Sequence, residues 1–151
     1  MEKRHALSIA WINMANNIYL DTNIFIDILD NTRPFAKKTL SMVRTFLEEE
    51  EELYINSDTV TNAFYVLSKQ KRYSKQELLI FMQKIVSLAI VVPIEQNNVM
   101  EALALCADTT TDFKDYEDAV QYVCAKKCQA VMIMSNDKSF VSPDIKILTS
   151  I

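Results

Sequence analysis

Short β-type runs alternate with helical patterns along this chain, and that alternation restricts its fold more than any other feature. Five runs carry β-branched and aromatic content: Ile18–Asp21, Leu53–Ser57, Ala89–Ile94, Ala130–Ser135 and Ile145–Leu148. Between them, helical patterns cover Thr22–Leu29, Pro34–Glu50, Thr59–Lys71, Ser74–Ser87, Gln96–Ala107 and Lys114–Lys127. Pro34 suits a first turn, where its missing N–H has no intrahelical partner to lose. Ser74 and Glu77 form a Ser-x-x-Glu capping box. Strands alternating with helices imply a parallel sheet with helices on both faces. Such strands are buried on both sides, which explains their near-continuous apolar character. The fold class is therefore α/β, and 151 residues suffice for one core, burying roughly 70% of the unfolded surface.

The chain contains no glycine. That excludes glycine-dependent phosphate cradles, both the P-loop and the dinucleotide-binding turn. Turns and helix ends must use Asn, Asp, Ser and Pro instead. The formal charge of −4 gives no support to non-specific nucleic-acid binding, although a metal or a local basic strip can supply attraction. Cys124 and Cys128 share a helix face and, with Cys106, read as core thiols in a reducing, cytoplasmic setting. Leu88–Ile94 is much too short to span a bilayer, so no membrane is expected. Residues 1–13 read as an extension, helical or upstream of a natural start at Met14, and 14–151 as a single domain. Glu48–Glu52 is a solvated run that frays the helix before it, because acids oppose the dipole at a helix C-terminus.

In open parallel sheets, ligands bind beyond the carboxyl ends of the strands. Polar residues that end strands are therefore the candidates. Asp21 ends the first, Ser57 and Asp58 the second, and Ser135, Asn136 and Asp137 the fourth. Asp115 and Asp118 share a face in the first turn of the helix that precedes the fourth strand. Asp21, Asp118 and Asp137 can thus converge on one rim. At ~4 Å and an effective dielectric of ~20, each carboxylate pair repels by about 4 kcal/mol. Either one acid is protonated or a divalent cation binds. Oxygen donors without histidine or cysteine suit Mg²⁺ or Mn²⁺. Local roles compete with this reading: Asp21, Asp112 and Asp115 can cap helices, and Asp137 can make a turn before Lys138-Ser139-Phe140.

Leu20-Asp21-Thr22-Asn23 resembles the opening LDTN signature of PIN-domain nucleases. Asp118-Ala119 through Ala125 resembles their second acidic motif, and Ile133–Phe140 resembles their T-x-D-x-x-F motif with Ser135 in the threonine place. Order and spacing match from Asn17 to Ile151. The resemblance implies a three-layer α/β/α sandwich around a central, mostly parallel five-stranded sheet, with 14–151 as one PIN-like domain. It further implies a Mg²⁺- or Mn²⁺-dependent endoribonuclease, often the VapC-type toxin of a toxin–antitoxin pair. Such toxins are commonly homodimeric and blocked by an antitoxin protein. Asp21, Asp118 and Asp137 would be metal ligands and, with Asp115, catalytic. Thr22, Asn23, Asn62, Ser135 and Asn136 would order the carboxylates and the attacking water. Asn62 stands where the family usually has glutamate, which removes one charge. Asp58 and Asp115 are candidates to replace it.

The alternative is a weakened PIN domain that binds RNA or protein without cutting. A haloacid-dehalogenase-like phosphatase needs a second aspartate two residues after the first, and Asn23 occupies that place. Lys69, Lys71, Arg72 and Lys75, or Arg33, Lys37 and Lys38, can grip phosphates or simply be solvated. The aromatic residues read as core rather than base-stacking platforms.

Overall fold

A computed structural model describes residues 15–151; the extension expected at 1–13, and Met14, lie outside the described residues. The strands are β1 (Asn17–Leu20), β2 (Glu52–Asn56), β3 (Ile90–Val92), β4 (Met132–Met134) and β5 (Lys146–Leu148). They form one sheet in the order β3-β2-β1-β4-β5. All four pairings are parallel, with Tyr19 opposite both Tyr54 and Ile133. The expected sheet is thus found, parallel throughout rather than mostly.

The helices are α1 (Thr22–Leu29), α2 (Ala36–Glu48), α3 (Ser57–Ser68), α4 (Lys75–Val86), α5 (Gln96–Ala107) and α6 (Tyr116–Lys127). The strand period of two sorts the β1 side chains to opposite faces. Ile18 and Leu20 join Ile24, Phe25, Val43, Ala63 and Leu78 of α1–α4. Tyr19 faces the other way, toward Ala102 of α5 and Val120, Val123 and Cys124 of α6. The sheet therefore lies between two helical layers, which makes the three-layer sandwich.

Side-chain caps set the starts of α3, α4 and α6. Ser74 Oγ accepts the Glu77 N–H at 3.1 Å and a Glu77 carboxylate oxygen accepts the Ser74 N–H at 2.8 Å, the capping box read from sequence. Asn56 Oδ1 accepts the Thr59 N–H, so α3 starts at Ser57 rather than Thr59. Helix α2 starts at Ala36, because the chain first turns through Pro34 with the Ala36 N–H on the Arg33 carbonyl. That helix ends at Glu48, inside the glutamate run. Glu50 (φ 59), Lys71 (φ 53) and Gln129 (φ 55) take the left-handed conformation after α2, α3 and α6, where other proteins favour glycine. The three cysteines are free, and burial pushes the Cys124 thiol up to about 12 and the Cys128 thiol up to about 11. No helix of the described residues is long and apolar enough to cross a membrane.

Candidate active site

The Asp21 N–H bonds the Met134 carbonyl, so the ladder between β1 and β4 continues one residue past β1 and brings Asp21 beside Ser135. Asp21 is 3% exposed. It holds the N-cap position of α1, but its side chain makes no cap bond. The capping role is therefore not what this carboxylate performs. Its Oδ1 accepts from Gln121 Nε2 at 2.7 Å and its Oδ2 from Ser135 Oγ at 2.7 Å. Both donors are buried.

Each donor is itself oriented. Ser135 Oγ accepts the Asp137 backbone N–H at 3.2 Å, which leaves its proton for Asp21. Gln121 Oε1 accepts the Thr22 N–H at 3.0 Å, which turns its amide nitrogen toward Asp21. The Thr22 and Thr59 hydroxyls share a hydrogen bond of 3.1 Å. Asn56 Oδ1 accepts from Thr59, and Asn56 Nδ2 donates to the buried Tyr19 hydroxyl at 2.8 Å. Polar groups buried in this way are stabilising only when all are partnered. Among the described residues, no buried side-chain nitrogen or oxygen lacks a partner.

The other acids gather on the first turn of α6 and on the loop after β4. Asp118 is half-buried, and its carboxyl is pushed up to about 7 by desolvation first, then by Asp115, Asp21, Asp137 and Glu117. The Asp21 carboxyl is also raised: burial dominates and Asp137 adds to it, against the bonds from Ser135, Gln121 and Thr22. Asp21 and Asp137 thus both act on Asp118, and Asp137 acts on Asp21. Asp115 and Asp137 also have local roles. Asp115 Oδ1 caps α6 through the Asp118 N–H at 3.0 Å, and Asp137 Oδ1 accepts the Ser139 N–H at 2.9 Å. Asp112 is exposed and caps no helix.

Asn62 Nδ2 lies 3.4 Å from Glu117 Oε1, and both line a cleft with Thr22 and Asp58. The Glu117 carboxyl is raised by desolvation, then by Asp115 and Asp21, with a smaller push from Asp58. Glu117 therefore brings a negative charge to the place where Asn62 has none. Asn23 and Asn136 behave otherwise. Asn23 Oδ1 faces Arg33 at 3.5 Å, whereas Asn136 binds Ser150 through both ends of its amide and Thr149 through Oδ1. Neither touches a carboxylate.

Sequence reasoning missed Gln121 and Glu117. Both had a signal: Gln121 is a lone polar residue within Ala119–Ala125, and Glu117 lies between Asp115 and Asp118. It also placed the aromatics wholly in the core, yet Phe35, Tyr65 and Tyr116 are exposed around the rim. Of the basic candidates, Arg72 pairs with the buried Asp30 at 2.7 Å and Arg33 with the buried Asp27, so neither is a free surface charge.

An oxygen-only donor set in which neighbouring acids help raise the Asp118 and Asp21 carboxyls fits a hard divalent cation. In the arrangement shown, no group of three or more His, Cys, Asp or Glu side chains among the described residues is close enough to hold an ion. Asp115 Oδ1 is bonded to its own helix and Asp137 Oδ1 to Ser139.

A family model described as PIN domain matches residues 18–146. The chain is 36% identical over 136 residues to Ribonuclease VapC1 of Aquifex aeolicus (strain VF5), covering 90% of this chain and 92% of that protein. Among solved structures, a chain of VapBC2 from Rickettsia felis, bound to a promoter DNA fragment, superposes with a TM-score of 0.64 at 15% identity. It covers 88% of this chain and 98% of that one. The Mycobacterium tuberculosis toxin VapC20, which cleaves the Sarcin-Ricin loop, gives 0.65 at 10% identity over 82% of this chain and 92% of its own. These two show the fold alone; the family match and the sequence identity to Ribonuclease VapC1 lead to one conclusion: the chain belongs to the PIN domain family.

Proposed function

We propose that this chain is a divalent-metal-dependent endoribonuclease that hydrolyses RNA phosphodiester bonds, acting as the toxin of a type II toxin–antitoxin pair. The observation that carries the reading is the Asp21 carboxylate, buried at the end of β1 and held by Gln121 and Ser135, with Asp118 and Asp137 within reach of its field. The similarity to Ribonuclease VapC1 supports it. Asp21, Asp118 and Asp137 would hold Mg²⁺ or Mn²⁺, with Asp115 and Glu117 adding charge. When bound, the ion supplies a hydroxide nucleophile near neutral pH and stabilises the leaving oxygen. The chain's own part is orientation. Gln121 and Ser135 aim the Asp21 carboxylate with uncharged donors, so they fix it without neutralising it. Asn62 and Thr22 line the cleft through which RNA reaches the carboxylates. An antitoxin protein, a homodimer and a cytoplasmic site of action belong to the same proposal. The similarity to chains from VapBC2 and FitAcB structures supports the antitoxin.

Asn62 favours a second reading, a PIN domain that binds RNA or protein without cutting. Glu117 weighs against it, because it returns a carboxylate to the same wall. The test is cleavage of structured and single-stranded RNAs with Mn²⁺, by the native chain and by Asp21→Asn, alongside calorimetric Mn²⁺ titration. Cleavage and Mn²⁺ binding, both lost in Asp21→Asn, are expected. Absence of Mn²⁺ binding at millimolar ion would favour the binding module, and equal cleavage by both chains would move catalysis to another site.

A further inference from the structure

We propose that the hollow formed by Arg33, Pro34 and Phe35 beside Asp137 is a subsite for one base of single-stranded RNA, next to the phosphate to be cut. The proposal rests on the ribonuclease reading and deepens it. The hollow is open, about 450 Å³, and Asn23, Asp27, Asn136 and Asp137 complete its walls, with the Asp27 carboxylate paired to Arg33. It therefore adjoins the carboxylate rim directly.

The local sequence explains why an aromatic ring is available there. Helix α2 buries Ala36, Thr39 and Val43, which leaves Phe35, one residue ahead of the helix, turned outward. Phe35 is 39% exposed and belongs to neither core layer. Among the described residues, no other ring and no cation lies over it. Base–aromatic stacking suits such a face, and it tolerates any base because every base has a π-face.

Arg33 supplies hydrogen-bond donors, its charge being paired with Asp27. Its Nε is held by the buried Asp27, and Asn23 Oδ1 lies 3.5 Å from Nη2. The guanidinium plane is therefore set before RNA arrives, with N–H groups left to meet a phosphate oxygen or base edge. The neighbouring aromatics lack this combination. The Tyr65 ring carries Lys69 Nζ 3.8 Å from its centroid. Tyr116 shares its hollow with Asp58 and Glu117 and with no lysine or arginine. Among the aromatics of the described residues, Phe35 is the one at which an open ring face, a fixed guanidinium and the rim coincide.

The test measures binding of a mixed-sequence single-stranded RNA of about a dozen nucleotides by fluorescence anisotropy, without added metal, in an Asp21→Asn background that leaves the RNA uncut. Phe35→Ala should weaken binding roughly 5- to 100-fold, and Phe35→Trp should restore it. A single abasic nucleotide scanned along the oligomer should weaken binding at one position, and there Phe35→Ala should lose nothing further. Unchanged binding by Phe35→Ala, or abasic and Phe35→Ala losses that simply add at every position, would overturn the subsite. If the native chain nonetheless cleaves RNA with Mn²⁺, the ribonuclease reading stands. If it neither binds nor cleaves RNA, both fail.

Discussion

Gln121 donates its amide N–H to Asp21 Oδ1 at 2.7 Å while its own carbonyl accepts the Thr22 backbone N–H at 3.0 Å. The second bond decides the first, since an amide whose oxygen is engaged can present only nitrogen on its other side. Replacing Gln121 by Leu removes the donor and orphans a buried N–H, which should cost about 1–3 kcal/mol of stability. Mn²⁺ affinity should fall about 10- to 100-fold beyond that loss. Calorimetry on the folded variant separates the effects. A lower melting temperature with native Mn²⁺ affinity would reduce Gln121 to packing.

Ser135 Oγ bridges Asp137 N–H and Asp21 Oδ2. Ser135→Ala should weaken Mn²⁺ binding by roughly 10- to 100-fold. Ser135→Thr keeps the hydroxyl and should stay near the native value. Similar losses in both would point to the volume at this position rather than the bridge.

Asp118 has an ordinary value of 3.8 and is pushed up to about 7, chiefly by desolvation and then by Asp115. Between those values the folded chain keeps a proton that the unfolded chain releases. The stabilisation from this group is therefore complete below about pH 4 and lost as pH rises to about 7. Without metal, unfolding in urea should show stability falling over that window. Mn²⁺ should bind more tightly as pH rises through it, because proton and cation compete for one carboxylate. In Asp118→Asn both dependences should shrink; a slope identical to the native one would place the titration elsewhere.

Arg72 joins the turn between α3 and α4 to Asp30, the residue that follows α1. Arg72→Ala leaves Asp30 buried beside Thr32 without its cation, and should cost about 1–3 kcal/mol. Cleavage of RNA by the folded variant should be unchanged. Denaturant midpoints and kcat/KM are the readouts, and a large rise in KM with native stability would return Arg72 to the RNA surface.

The layers and the sheet's parallel sense were legible because they depend on period, and the positions of Asp21 and Asp137 because they follow the ends of β1 and β4. Asp21 could be read as a strand terminus without knowing what lay beside it. Ser135 was among the residues named to order the carboxylates, but Gln121 was not, since it meets Asp21 only when α6 packs across the sheet. Glu117 was hidden for a related reason: its meaning depends on Asn62, 55 residues away in sequence. Phe35 was hidden by its type. An aromatic beside a helical pattern reads as core, and only the direction of the α2 face shows that this one points out.

The partners of Asp21 lie 100 and 114 residues further along the chain. A chain on the ribosome that has just completed α5 already carries Asp21, Asn62 and Phe35, yet nothing to aim the first carboxylate. Strand β1 has only β2 beside it until β4 emerges. Non-local parallel pairings form late, after the intervening chain is made. The oriented carboxylate site therefore assembles only once nearly all of the chain has been made.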